Sequence, residues 1–399
     1  MRLKSISLKN WKNFRSLQCN LNNRLFVVGA NASGKSNFLD ALRFMRDIVK
    51  HGGGLQYAVA QRGGISKIRC LSAREKPDIV IELEFIDDKN SNWKYFLSLT
   101  QQSRGSRNTI IREEIMEKDG KSVFNRPDNK DKQDEERLTQ TFLEQISTNK
   151  DFREIVGFLS NIQYMHLVPQ LLKYPEAFSG PDLPEDPFGK GFLRTVAKTS
   201  PDTRKNRLSQ IQKILQITVP QLKDLKFIED IGQPHLEVTY EHWRPSGAKQ
   251  TETQLSDGTL RLIGLLWSLT SGKGVLLLEE PELSLHTAIV EQLPQLFYSI
   301  LSKKKRQIVI TTHSAELLTS RSISLSEILL LKAENEGTKA LSAKDYPEIV
   351  ALLEGNLSPA EAVLPFTRPD FVRNYSKSLD SAVKALEKIA NHNGITHAV

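Results

Sequence analysis

The sequence predicts an α/β fold: a mixed sheet with helices, an antiparallel β flank and a long helical and β insertion. Three observations predict it. The apolar run Leu25-Phe-Val-Val28 leads into Gly29-Ala-Asn-Ala-Ser-Gly-Lys-Ser36, a complete G-x-x-x-x-G-K-[ST] loop. Phe38, Leu42, Met45 and Val49 then recur at the spacing of one helix face. Far downstream, Val275-Leu-Leu-Leu278 ends in Glu279 and Glu280, and Gln307-Ile-Val-Ile-Thr-Thr312 ends at His313.

Strand, glycine loop and helix in that order form the setting in which such a loop binds phosphate. The backbone N–H groups of residues 30–36 can curl around an anion at a helix N-terminus, where the helix dipole favours negative charge. Lys35 is expected to reach the β- and γ-phosphates of a nucleoside triphosphate, and the Ser36 hydroxyl to ligate Mg²⁺. Gly29, Asn31, Ser33, Gly34 and Asn37 complete the expected ATP contacts. Glu279 is expected beside the metal, and Glu280 as the base that polarises the attacking water. His313 is placed to sense the γ-phosphate.

A second phosphate cap is read in Leu255-Ser-Asp-Gly-Thr-Leu-Arg261, a polar turn opening a helix that is apolar all round and therefore expected to be buried. Ser256 and the Gly258 backbone stand at its N-terminus. Two phosphate-binding helix ends on one chain suggest a site completed by a second protomer.

Composition bounds the class. The chain has 399 residues, 39% apolar and 26% charged, as in soluble globular proteins. No apolar run is long enough to span a membrane, and no signal peptide is expected from the alternating Met-Arg-Leu-Lys-Ser-Ile-Ser-Leu. Cys19 and Cys70 lack metal-ligand spacing, which suits a reducing cytoplasm. The net charge of +8 permits contact with DNA. Residues 188–224 hold eight Lys or Arg against Asp202 and Asp224; the stripe is either a phosphate-facing surface or a solvated helix face.

Four regions are expected: an N-terminal lobe at 1–120, an insertion at 121–245, a C-terminal lobe at 246–335 and a helical tail at 336–399. Residues 2–9 read as a strand with Trp11 and Phe14 in the following turn. The first helix is expected over Lys35–Lys50, and β-like runs lie at Asp78–Ile86, Trp93–Leu99 and Thr109–Met116. Asn125–Arg137 reads as an exposed loop, Leu138–Leu159 and Thr203–Ile217 as helices, and Ile162–Leu167 as a short strand. Pro181, Pro184 and Pro187 mark a connector, and 225–231 and 235–240 a strand pair. Lys303–Arg306 reads as a solvated turn. In the tail, Phe371, Tyr375, Leu379, Val383, Leu386 and Ile389 share a helix face.

The order of Gly29–Ser36, Leu255–Arg261, Leu278–Pro281 and Thr312-His313-Ser314 resembles the ABC-type ATPase heads of the RecF, SMC and OLD-nuclease group. The opening Lys4-Ser-Ile-Ser-Leu-Lys-Asn-Trp-Lys-Asn-Phe-Arg-Ser-Leu17 is similar to their first strand and turn. Small stand-alone ATPases of that group are the nearest in pattern. The likeness covers residues 1–50 and 250–332. It implies Lys35 and Ser36 on phosphate and Mg²⁺, Ser256 and Gly258 on a partner protomer's γ-phosphate, Glu280 as base and His313 as switch. Glu279 stands where most of the group has Asp, and the glutamine of the lobe-connecting loop could be Gln56, Gln61 or Gln163. The resemblance further implies an ATP-linked homodimer or higher oligomer acting on a separate effector, a nuclease or toxin, in bacterial antiphage defence; a RecF-like DNA scaffold is the alternative. Leu352-Leu-Glu-Gly355 resembles the opening of a TOPRIM nuclease, but the 44 residues after it hold no Asp-x-Asp, so none is expected.

Overall fold

The computed structural model describes residues 1–73, 77–102, 108–178, 185–243, 247–304 and 306–367. Its centre is a six-stranded mixed sheet ordered Gly337–Ser342, Ile328–Glu334, Arg24–Gly29, Gln307–Thr312, Val275–Glu279 and Gln163–Met165. All neighbours are parallel except the hairpin formed by the first two. Arg24–Gly29 is called the loop strand below, Val275–Glu279 the acid strand and Gln307–Thr312 the histidine strand. The histidine strand lies between the other two, pairing Val28 with Thr312 and Glu279 with Thr311. Three chain segments far apart in sequence therefore end side by side.

The near-continuous apolar runs of these strands follow from burial on both faces. Leu25, Val27, Leu277, Val309 and Leu331 enter one core; Phe26, Val28, Leu276, Leu278, Ile308, Ile310 and Leu330 enter the other. The period of two sorts each strand between two cores. In the first, the helix Lys35–Val49 packs Phe38, Leu42 and Met45 against the sheet, each wholly buried, while Val49 is only partly so. Burial of such side chains contributes about 1.5–3 kcal/mol each. The second core holds the helix Asp257–Thr270, buried without interruption from Leu260 to Thr270 as its all-round apolar pattern predicts.

The antiparallel flank is a second six-stranded sheet: Phe14–Asn20, Arg2–Trp11, Ile79–Ile86, Asn92–Gln101, Thr109–Lys118 and Lys121–Arg126. All three predicted β runs fall in it. The strands Leu222–Asp230 and Gln233–Tyr240 pair as expected and gain a third, Ala248–Thr251. The helix predicted over Thr203–Ile217 runs from Pro201 to Thr218.

Three expectations are corrected. Leu138–Leu159 is not one helix: it holds the end of a 3-10 turn at Glu135–Thr139, a second at Asn149–Phe152 and an α-helix only over Arg153–Ser160. Asn125–Arg137 is exposed over most of its length, as expected, but it contains a short helix, Asn129–Gln133, and Arg126 and Asp131 are buried. The Arg126 guanidinium is 1% exposed there and is held by Glu114 and Asp131, both fully buried, at 2.9 Å each. A polar sequence was folded around a buried ion cluster, which composition cannot show. Nor is Arg306 solvated: it is buried and donates to the carbonyls of Ser268, Ser271 and Gly274, closing the C-terminus of the apolar helix. Pro181, Pro184 and the tail helix over Phe371–Ile389 lie outside the described residues. Leu352–Glu354 ends the helix Pro347–Glu354.

Candidate functional site

The site forms where the three central strands end. The loop strand runs into the loop, and the first helix begins at Lys35 with Gly34 before it in the left-handed region, φ 97°. A Cβ at Gly34 would stand 2.2 Å from Asn13 Nδ2, so both the conformation and the space require glycine. Asn13 earns that closeness: its Nδ2 donates to the Ser33 carbonyl at 3.0 Å and to Thr338 Oγ1 at 2.6 Å, and its Oδ1 accepts from Asn37 at 2.8 Å. Thr338 donates to the same Ser33 carbonyl at 2.9 Å, and Trp11 Nε1 donates to the Asn37 carbonyl at 2.8 Å. The loop is thus braced from the first turn of the chain and from the outer hairpin. Asn31 is exposed on it, whereas Ser33 is buried with a hydroxyl lacking a partner among the described residues.

Lys35 is buried, and its ammonium donates to the carbonyls of Gly29 at 3.0 Å and Ala30 at 3.3 Å. Burial lowers its pKa, and the nearby Glu280, Glu282 and Glu279 partly offset that. Glu280 lies 3.9 Å from this ammonium. Its φ of 45° is rare for a residue with a side chain, and strain of this kind collects at functional sites. The Glu280 carboxylate meets His313 Nδ1 at 3.0 Å. Arg261 donates to its carbonyl at 3.4 Å, which ties the apolar helix to the acid strand.

Ser36 donates to one oxygen of Glu279, and the Tyr164 hydroxyl donates to the other. Ser36 and Glu279, the two predicted metal ligands, are therefore in contact across 243 residues of sequence. The Arg43 guanidinium stacks 4.0 Å over the Tyr164 ring, and His166 Nδ1 approaches the Glu279 carbonyl at 3.3 Å. Burial, then the bond to Glu279, raises the Tyr164 phenol, so it remains a donor. Beneath the site, Glu282 is buried, accepts from Thr312 Oγ1 at 2.5 Å and is pushed upward in pKa by that burial.

Ser256 and Gly258 are not joined to this cluster by a hydrogen bond among the described residues. Ser256 is the exposed N-cap of the apolar helix, accepting from the Thr259 N–H at 3.1 Å. A Cβ at Gly258 would stand 2.7 Å from the Ser284 carbonyl. Among the three glutamines, Gln56 is held by the carbonyls of Thr109 and Thr139 and Gln163 by Arg306, while Gln61 lines the cleft that Ser36 and Asp40 share.

Tyr164, Asn13, Thr338 and Glu282 were missed by the sequence reading. Asn13 stood in a turn already singled out, and Tyr164 in a strand already predicted. Nothing local marks what either touches.

The donor set fits a magnesium nucleotide. A lysine and a ring of loop N–H groups would hold the phosphates, and a hydroxyl with a carboxylate would hold the cation. Once bound, Mg²⁺-ATP supplies the phosphoanhydride and the charge-neutralising metal.

Residues 25–319 match the family described as AAA domain, putative AbiEii toxin, Type IV TA system. The chain belongs to this family. Over 112 residues it is 30% identical to the Endonuclease GajA of Bacillus cereus (strain VD045), a stretch covering 28% of this chain and 18% of that relative. The chain thus matches under a fifth of GajA's length. An Smc head bound to the C-winged helix domain of ScpA is similar in structure, with a TM-score of 0.50, 14% identity and coverage of 86% of this chain and 97% of that one. The SMC head domain from Thermotoga maritima gives a TM-score of 0.47, 18% identity and coverage of 86% and 99%. The fold is that of an ABC-type ATPase head of the RecF, SMC and OLD group. No helix among the described residues is long and apolar enough to cross a membrane.

Proposed function

We propose that this chain binds and hydrolyses ATP, closes as a dimer around it and switches a separate effector, a nuclease or toxin, in defence against phage. One observation carries the ATPase reading: Ser36 with Glu279, and Lys35 with Glu280 and His313, converge at the ends of three adjacent strands. Lys35 and the loop N–H groups bind the phosphates, and Ser36 and Glu279 hold Mg²⁺. The Glu280 carboxylate accepts a proton from the attacking water, with His313 fixing its direction. Ser256 and Gly258, exposed or partly so, supply the cap to the partner's nucleotide.

The scaffold reading, in which DNA binding is itself the function, draws less support. Within the basic stripe, Arg194 pairs with Glu176, Lys223 with Glu241, and Arg204 lies over the Phe227 ring. Those charges are partly answered within the chain.

Light scattering of Glu280→Gln protein tests both. A mass that doubles with ATP and ignores duplex DNA is expected. A mass unchanged by ATP overturns the ATP-closed dimer, and growth with DNA overturns the preference for a protein effector.

A further inference from the structure

Glu280 is one of two strained residues in the turn after the acid strand. Ser284 also lies in the left-handed region, at φ 63°. Residues with side chains keep such conformations only where the surroundings over-determine them. Both positions lean on the start of the helix Asp257–Thr270. The Glu280 N–H donates to the Thr311 carbonyl at 3.1 Å, and its carbonyl accepts from the Leu283 N–H at 3.3 Å and from Arg261 Nη1 at 3.4 Å. The Ser284 carbonyl packs so closely on Gly258 that a Cβ there would stand 2.7 Å away.

Arg261 is an unfavourable residue for the place it holds. It is 5% exposed, in a helix whose buried run Leu260–Thr270 is otherwise uncharged. Among the described residues its guanidinium meets one hydrogen-bond acceptor, the Glu280 carbonyl, while Glu282, Asp257 and Glu280 supply the negative charge around it. Burying a cation opposes folding unless it is matched, and an apolar side chain of similar volume commonly packs as well or better. What Arg261 adds is a fixed donor at the backbone of one residue. That residue carries the carboxylate that lies 3.9 Å from the Lys35 ammonium and 3.0 Å from His313 Nδ1.

We infer that Arg261 is a positioning residue for Glu280. Its guanidinium fixes the Glu280 carbonyl, and with it the left-handed backbone that holds the carboxylate between Lys35 and His313. The inference rests on the proposed ATPase function and adds to it the residue that aims the base.

Steady-state ATP hydrolysis and nucleotide binding, measured separately on the full chain, test it. Arg261→Met should lower kcat about tenfold to a hundredfold, the scale of a misplacement by about 1 Å, with ATP affinity within about twofold of wild type. Arg261→Lys keeps a cation facing Glu282 and Asp257 but lacks the planar fork. It should recover part of the rate, to within about threefold to tenfold of wild type, and it replaces Arg261→Met if that protein does not fold. In Glu280→Gln protein, the same change at Arg261 should slow the residual rate by no more than about twofold, because the two residues act as a unit. An undiminished loss in that background would mean that Arg261 acts on something other than Glu280, and would overturn the inference. So would a wild-type kcat in folded Arg261→Met or Arg261→Lys protein, which leaves the ATPase reading intact. Absence of hydrolysis by the wild-type chain would overturn that reading, and this inference with it.

Discussion

Tyr164 donates its hydroxyl to the Glu279 carboxylate, the same group that accepts from Ser36. The acid is therefore aimed by a residue from the sheet's outer strand as well as by the loop. Residues that orient a metal ligand without touching the metal commonly shift metal affinity by about tenfold to a hundredfold.

Tyr164→Phe should raise the Mg²⁺ concentration needed for half-maximal ATP hydrolysis by about tenfold, with little change at saturating Mg²⁺. A Mg²⁺ titration of the rate checks this. An unchanged titration would mean that the tyrosine only fills space.

Lys35→Ala and Glu280→Gln should separate binding from chemistry. The first removes the buried ammonium beside the loop and should cost about 2–3 kcal/mol, roughly a hundredfold in ATP affinity. The second should bind ATP normally and hydrolyse it about a hundredfold or more slowly, the usual worth of a general base. Nucleotide binding by fluorescence and phosphate release measure the two. Normal hydrolysis by Glu280→Gln would remove the base from the proposal.

Ser256→Arg puts a bulky cation at the exposed cap of the apolar helix. ATP affinity of the single protomer should stay within about twofold, while the ATP-dependent dimer is lost. Sedimentation with ATP is the check, and a dimer that persists would exclude the composite site.

Arg126 joins two fully buried carboxylates, so Arg126→Met should destabilise the fold by about 3–5 kcal/mol in denaturant unfolding. Burial alone would raise the Asp131 carboxyl, but bonds from Arg126, the Asp128 N–H and Arg137 hold it well below the usual range. Its folded pKa is depressed, so its stabilisation is present above the unfolded value near pH 4 and is lost as pH falls towards the folded one. The stability gap between wild type and Asp131→Asn should therefore shrink below about pH 4. A gap constant from pH 7 to 3 would contradict the assignment.

The loop, the acid strand and the histidine strand were legible because each is a local pattern: an apolar run that changes abruptly to glycine or charge. The antiparallel flank was legible for the same reason, through its alternation. Leu138–Leu159 failed as one helix, and two polar stretches failed in part. Asn125–Arg137 and Lys303–Arg306 read as solvated because hydrophilic composition ordinarily means surface, and most of their described residues are exposed, but Arg126 is buried on Glu114 and Asp131 and Arg306 on the Ser268 carbonyl.

By itself the sequence determined the elements and their chemistry: which stretches become strands, where the phosphate loop opens, and which acids and histidine end the strands. Tertiary structure decided what those residues touch. The order of the central strands set Glu280 beside Lys35, and the outer strand brought Tyr164 to Glu279 across 115 residues. Periodicity and capping act over a few residues and leave a local trace. Pairing between distant strands is selected by the packing of the whole sheet, which no short window of sequence records.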